Sequence, residues 1–168
     1  SDLIVGAAGD DVISGGLGSD TISAGTGDDV IAGDGGADII TAGAGKDKIT
    51  GGTGADTISG DAGDDVISGD DGVDIISGGS GDDVLTGGVG NDILDGGAGD
   101  DIAIYAGNMA DYKIDVGREG LTHITDLNSE DGDEGVDTLS NVETVRFADG
   151  ELTVTKDADG EVRVNTYT

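Results

Sequence analysis

Residues 51–59 read Gly51-Gly-Thr-Gly-Ala-Asp-Thr-Ile-Ser59, and residues 78–86 read Gly78-Gly-Ser-Gly-Asp-Asp-Val-Leu-Thr86. The same nine-residue unit recurs in phase eleven times between Gly6 and Ile104, and we number its positions as places one to nine. Every copy has Gly at place four and Asp at place six. Such a short repeat predicts a stacked architecture, in which each copy buries apolar surface only against its neighbours.

The repeat divides into a turn and a strand. Places one to six are predicted to form the turn, and the constant glycine at place four indicates a positive φ or a close backbone approach. Places seven to nine are rich in β-branched residues, and we predict three-residue strands whose middle side chain faces inward. The place-four glycines are Gly9, Gly18, Gly27, Gly36, Gly45, Gly54, Gly63, Gly72, Gly81, Gly90 and Gly99.

A second periodicity indicates two strands per coil. Place five is charged in alternate copies only, so the true period is 18 residues. Odd-numbered turns are then predicted on one edge of a flattened parallel solenoid and even-numbered turns on the other, with successive strands about 4.8 Å apart. The charged place-five residues predict one strongly acidic edge and one nearly neutral edge. They are Asp10, Asp28, Lys46, Asp64, Asp82 and Asp100.

The repeat ends in the eleventh copy, where Ala103 stands at the usual place of Ile or Leu. We therefore divide the chain into a β-roll at residues 1–104 and a capping or flanking β region at residues 105–168. Alternating apolar residues predict further strands in the second region, linked in part by glycine-containing turns. An antiparallel β cap that shields the last coil is expected, which makes the whole chain all-β. The predicted strands are 112–116, 121–125, 142–147, 152–155 and 162–165.

Charge is the strongest constraint from composition. The chain carries a net charge of −30, and residues 1–104 contribute 22 Asp and only two Lys. Stacked like charges about 4 Å apart repel by roughly 1 kcal/mol each even in water, so a cation is the expected missing partner. Seven scattered basic residues exclude nucleic acid and anionic membranes as partners. The absence of Cys excludes thiolate metal sites, and no apolar run predicts membrane insertion.

Residues 6–104 resemble the RTX, or haemolysin-type calcium-binding, repeats. The tail resembles the region that follows such repeats, through Tyr105-Ala-Gly-Asn-Met-Ala-Asp-Tyr112 and Asp137-Thr-Leu-Ser-Asn-Val-Glu-Thr-Val-Arg-Phe-Ala-Asp-Gly150. The resemblance implies a right-handed parallel β-roll that holds Ca²⁺ between successive turns through the place-six Asp and main-chain carbonyls. It implies metal-binding roles for the turns that contain the place-four glycines given above. The implied Asp ligands are Asp11, Asp20, Asp29, Asp38, Asp47, Asp56, Asp65, Asp74, Asp83, Asp92 and Asp101.

The number of turns sets the expected number of ions. Six turns on one edge and five on the other leave nine gaps, so about nine Ca²⁺ are expected. Ca²⁺ takes six to eight oxygen ligands, which Asp and exposed turn carbonyls supply. Lys46 and Lys48 flank Asp47 and are expected to weaken the site there. In the alternative without metal, the place-six Asp would only close Asx turns, which would leave the charge uncompensated.

The resemblance implies a calcium-triggered folding module from the C-terminal part of a larger secreted bacterial protein. Its expected partners are calcium ions and the type I secretion machinery, and its expected location is extracellular or at the cell surface. The alternative is an adhesin, surface-layer or polysaccharide-binding element whose roll surface takes surface or glycan ligands. The only histidine, His123, has no catalytic partners that the sequence suggests, so we expect no enzyme activity.

Overall fold

The computed structural model describes residues 1–117, 121–128, 133–156 and 162–167, and it is almost entirely β-structure. One three-residue 3-10 helix, Met109–Asp111, is the exception to this in the described residues. The strands are β1 Leu3–Ala8, β2 Val12–Ser14, β3 Thr21–Thr26, β4 Val30–Gly35, β5 Ile39–Ala44, β6 Lys48–Thr53, β7 Thr57–Ala62, β8 Val66–Asp71, β9 Ile75–Ser80, β10 Val84–Val89, β11 Ile93–Ala98, β12 Ile102–Ile104, β13 Tyr112–Val116, β14 Thr122–Asp126, β15 Val136–Ser140, β16 Thr144–Phe147, β17 Gly150–Lys156 and β18 Val162–Tyr167.

The first twelve strands form two parallel stacks. Odd-numbered strands β1 to β11 pair in sequence in one sheet, and even-numbered strands β2 to β12 pair in the other. Each residue pairs with the residue 18 positions later, as Ile22 does with Ile40 and Ile31 with Ile49. The predicted solenoid with two strands per 18-residue coil is therefore confirmed.

The core of the roll is a single aliphatic layer between the two sheets. The place-eight residues form it, and from Ile22 onward each of them is almost completely buried. Their neighbours at place seven point outward, which confirms the predicted orientation of the middle side chain. The place-eight residues are Ile13, Ile22, Ile31, Ile40, Ile49, Ile58, Ile67, Ile76, Leu85, Leu94 and Ala103.

The strands are longer than the three residues that the sequence predicts. Most contain six residues, because the ladder continues through places one to three of the next copy, as in β7. Place one is the second buried position of each strand, so it accepts only small residues such as Gly or Ala42. The turn is consequently confined to places four to six, and the predicted six-residue turn is wrong in length.

The tail extends both sheets and closes the end of the roll. Strands β13 and β14 pair antiparallel, as do β16, β17 and β18, which confirms the predicted antiparallel cap. Strand β15, which the sequence did not predict, pairs in parallel with β11, and β16 pairs in parallel with β12. Tyr105, Tyr112 and Phe147 pack against each other with ring centroids 5.2–5.8 Å apart. These rings continue the core beyond Ala103.

Candidate metal-binding ladders

The place-six aspartates form two columns, one on each edge of the roll. We call the column of the odd-numbered copies the odd ladder and that of the even-numbered copies the even ladder. From Asp20 to Asp101 each residue is at most 2% exposed, and carboxylates are rarely buried to this degree unless they are paired. The odd ladder is Asp11, Asp29, Asp47, Asp65, Asp83 and Asp101, and the even ladder is Asp20, Asp38, Asp56, Asp74 and Asp92.

One carboxylate oxygen of each aspartate joins neighbouring coils. The backbone N–H of Asp38 donates to Oδ1 of Asp56 at 2.7 Å, and that of Asp56 donates to Oδ1 of Asp74 at 2.8 Å. The same bond recurs along both ladders at a spacing of 18 residues. Each coil therefore depends on the next one for a hydrogen-bond acceptor.

The second carboxylate oxygen has no such partner. In all eleven aspartates Oδ2 is buried and accepts no hydrogen bond within the described part of the chain. A buried polar atom left without a partner costs about 1–3 kcal/mol, and more when it is charged. Eleven repetitions of this cost at one place of the repeat indicate that a ligand satisfies these oxygens.

A main-chain carbonyl of the next coil lies beside each of several Oδ2 atoms. A Cβ built on Gly51 would lie 2.5 Å from Oδ2 of Asp56 and 2.7 Å from the carbonyl oxygen of Gly69. The corresponding distances at Gly33 are 2.6 Å to Oδ2 of Asp38 and 2.5 Å to the carbonyl oxygen of Gly51. The carboxylate and carbonyl oxygens are thus close enough for one cation with oxygen ligands at about 2.3–2.6 Å to reach both.

This arrangement explains why place one is usually glycine, and it identifies residues that the sequence analysis missed. The place-one carbonyl oxygens lie beside the Oδ2 atoms of the aspartates, whereas the sequence pattern had pointed to the glycines at place four. At Ala24 and Ala42 a methyl group stands where the other copies have none. Within the described residues no three His, Cys, Asp or Glu side chains converge on one point, so a bound cation would take its remaining ligands from carbonyls and water.

The place-four glycines lie in the same turns as the aspartates and serve close packing. From Gly9 to Gly81 their N–H groups donate to place-three carbonyls of the next coil, as Gly27 does to Ala44 at 2.8 Å. Ten of the eleven have positive φ, as predicted, and the exception is Gly72. A Cβ on Gly72 would overlap the carbonyl of Gly54, so glycine is required there by close approach.

The place-five residues form a second, exposed acidic column on the odd edge. The N–H of Asp28 donates to Oδ1 of Asp10 at 2.9 Å, and the same contact joins Asp100 to Asp82 at 3.0 Å. The Lys46 ammonium pairs with the carboxylate of Asp64 at 2.6 Å, so the positive charge of Lys46 lies in this outer column. The weakening of the Asp47 site by Lys46 and Lys48 remains a prediction.

Two tail residues take the next positions in the ladders, and the sequence analysis missed both. Oδ1 of Asp137 accepts the N–H of Asp92 at 2.8 Å, and Oε2 of Glu143 accepts the N–H of Asp101 at 3.0 Å. A signal was present, because Gly135-Val-Asp-Thr-Leu-Ser140 matches places four to nine of the repeat. It stands 45 residues, or five repeat units, after its ladder neighbour, and it is separated from the repeats by a tail segment that does not follow the pattern.

Burial raises the pKa of several ladder aspartates. Desolvation, followed by neighbouring carboxylates, raises the pKa of Asp65, Asp74 and Asp101 to about 6. Desolvation also raises the pKa of Asp56 and Asp83 above the usual range. Without a cation the folded roll therefore favours neutral carboxyl groups at these positions.

Acidification should consequently promote folding of the chain in the presence of a chelator. Because the folded pKa values are raised, their stabilising contribution is complete below the unfolded value of about 3.9 and is lost as pH rises through about 6. We expect far-UV circular dichroism in chelator to show more β-structure at about pH 5 than at about pH 7. With saturating Ca²⁺ the trend should reverse, since protons then compete with the cation. A loss of β-structure on acidification in chelator would contradict this expectation.

The fold is a β-roll, an all-β solenoid with two parallel strands per 18-residue coil and an aspartate at place six of every turn. The family described as RTX calcium-binding nonapeptide repeat (4 copies) matches residues 1–31, 14–49, 32–67, 41–76 and 68–103. The chain belongs to this family. RTX repeats bind Ca²⁺, which identifies the repeats of this chain as calcium-binding repeats. A search of curated proteins found no match. The described residues include no helix with the length and apolar character of a membrane span.

Proposed function

We propose that this chain is a calcium-triggered folding module, non-catalytic in itself, from the C-terminal part of a larger secreted bacterial protein. The observation that carries the proposal is the set of eleven buried Oδ2 atoms that have no hydrogen-bond partner among the described residues. The ligands would be the eleven ladder aspartates and main-chain carbonyls of the turns, and about nine Ca²⁺ would occupy the gaps between coils. Residues 1–104 would form the binding roll and residues 105–168 its cap.

Calcium would act here as a counter-charge. Each ion would replace the missing partner of Oδ2 and offset repulsion between coils, so binding free energy would become folding free energy. Extracellular calcium modules have dissociation constants of about 10⁻⁴–10⁻³ M, so the chain would stay unfolded in a low-calcium cytosol. This supports export of an unfolded chain by the type I secretion machinery and folding at an extracellular or cell-surface location.

Calcium should therefore induce folding cooperatively. We expect far-UV circular dichroism of the metal-free chain at neutral pH to gain β signal as Ca²⁺ rises through the sub-millimolar to millimolar range. Mg²⁺ is the control cation, because its demand for near-octahedral geometry and retained water suits these carbonyl-rich sites poorly. A full β signal in chelator at neutral pH, or an equal response to Mg²⁺, would refute calcium-triggered folding.

A second candidate function is a binding surface, as in an adhesin, a surface-layer element or a polysaccharide-binding module. The outward-facing place-seven side chains of the odd-numbered strands align in register. Along this column the order is Ile39, Thr57, Ile75 and Ile93. Ile39 and Ile75 are about half exposed, which gives the face a regular apolar and hydroxyl pattern. A glycan array in the presence of Ca²⁺ tests this candidate, and binding that survives replacement of Ile39 and Ile75 by Ser would locate the ligand elsewhere.

A further inference from the structure

The two ladders end differently at the tail, although each receives one acidic residue from it. On the even edge, Oδ2 of Asp137 accepts a hydrogen bond from the Tyr105 hydroxyl at 2.8 Å, so both carboxylate oxygens have protein partners. A Cβ built on Gly87 has only atoms of Asp92 as its three nearest neighbours, so no carbonyl of a following coil lies as near as in the interior. The even ladder thus ends in a protein hydrogen bond.

On the odd edge the tail reproduces the interior pattern. A Cβ built on Gly96 would lie 2.6 Å from Oδ2 of Asp101 and even closer to the carbonyl oxygen of Asn141. Asn141 therefore supplies the carbonyl that place one of the next coil supplies elsewhere. Asp101 is 0% exposed, and its Oδ2 is among the buried atoms without a partner in the described chain.

The tail is also attached to Asp101 through its backbone. The N–H groups of Glu143 and Thr144 both donate to the carbonyl of Asp101, at 3.1 and 3.0 Å, and Oε2 of Glu143 accepts the N–H of Asp101. Docking of the tail therefore brings a second carboxylate against a buried one. The repulsion between them opposes docking unless a positive charge lies between the coils.

We propose that the odd ladder ends in one additional calcium site shared by the roll and the tail, formed by the Asp101 carboxylate, the Asn141 carbonyl and the Glu143 carboxylate. This inference rests on the proposed calcium-dependent folding and goes beyond the nine gaps within the repeats. The site makes docking of the tail depend on calcium directly. On the even edge the Tyr105 hydroxyl donates to Oδ2 of the tail residue Asp137, while Oδ2 of Asp92 has no partner in the described chain.

The aromatic residues provide a separate signal for the tail. All three tyrosines and the only phenylalanine lie in residues 105–168, and Tyr105 and Tyr112 are buried in the cap. Near-UV circular dichroism of tyrosine therefore reports packing of the cap, while the far-UV signal at saturation is dominated by the roll. Calcium titrations of the full chain are followed by both signals, and native mass spectrometry counts the bound ions.

The test compares Asp101→Asn and Glu143→Gln with Asp115→Asn, which removes one charge from an exposed aspartate of the tail outside both ladders. Loss of a ligand or its hydrogen-bonded partner costs about 10–100-fold in metal affinity. We expect Asp101→Asn and Glu143→Gln to raise the calcium midpoint of the tyrosine signal at least about tenfold and to lower the ion count by one. Asp115→Asn should leave the tyrosine midpoint close to that of the unmodified chain.

The outcomes separate this inference from the proposed function. If the far-UV signal of the unmodified chain does not respond to Ca²⁺, the calcium-dependent folding itself is wrong. If the roll responds but the tyrosine signal is complete in chelator, the shared site is refuted and the folding module stands. Equal tyrosine midpoints for the Asp101, Glu143 and Asp115 variants would also refute the shared site.

Discussion

The substitution Gly63→Ala should shift the folding equilibrium of the calcium-loaded chain toward the unfolded state by about a hundredfold. Gly63 has φ of +138°, which L-residues with a side chain rarely adopt, and its Cβ would overlap the carbonyl of Gly45. The backbone cannot easily retreat, because the N–H of Gly63 donates to Ser80 at 2.8 Å. Conformational strain of about 1–2 kcal/mol and a steric cost of about 1–3 kcal/mol give a total near 3 kcal/mol. Urea unfolding followed by far-UV circular dichroism at saturating Ca²⁺ measures the shift.

Gly9→Ala is the matched control, because it changes the same place of the repeat in the first coil. Gly9 also has positive φ, at +106°, but a Cβ there would have no atom within 4 Å. Only the conformational cost of about 1–2 kcal/mol then applies. Equal losses at Gly9 and Gly63 would show that coil-to-coil contact does not determine the choice of glycine at place four.

Ile76→Ala should destabilise the calcium-loaded roll by about 2–5 kcal/mol, as is typical when a fully buried Ile is truncated. Ile76 is 1% exposed and stacks in register between Ile58 and Leu94 in the single aliphatic layer of the core. The preceding residue, Ile75, is 50% exposed on the outer face of the same strand. Ile75→Ala removes the same atoms from the surface and should cost about 1 kcal/mol or less.

Unfolding by urea at saturating Ca²⁺ compares these two variants directly. The ratio of their effects measures how far the inner layer stabilises the roll. A comparable loss in both variants would mean that the outer face is also covered, for example by association of chains. Sedimentation velocity of the unmodified chain is the control for that case.

Much of the roll could be predicted because its repeat is strict. Gly at place four, the inward row at place eight and the 18-residue period in place five all follow from spacing, and the structure confirms each of them. These features depend on local backbone conformation and on alternation within a strand. Both features require particular residue types at regular intervals, so they can be recognised in the sequence.

The features that escaped prediction depend on contacts between distant segments. The extension of the strands through places one to three was missed because glycine-rich sequence usually indicates a turn, whereas here the neighbouring coil supplies a ladder of partners. The partnership of Asp137 with Asp92 was missed because a tail segment with different composition interrupts the repeat. The place-one carbonyls have no side-chain signature, so only the backbone path reveals them.

The hydrogen bond that joins a place-six N–H to the aspartate 18 residues later, which recurs from Asp11 to Asp83, has a consequence for the length of the roll. Any segment of 18 residues, such as residues 42–59, begins and ends at equivalent points of the coil. Its duplication or loss would lengthen or shorten the roll while leaving the contacts of both ends unchanged. A change of nine residues would instead shift all later copies by half a coil. The later part of the acidic outer column would then lie on the opposite edge, and β15 and β16 would each meet a strand of the other sheet. The fold can therefore accept a change of length by whole coils without altering these contacts, whereas a half coil would disrupt them.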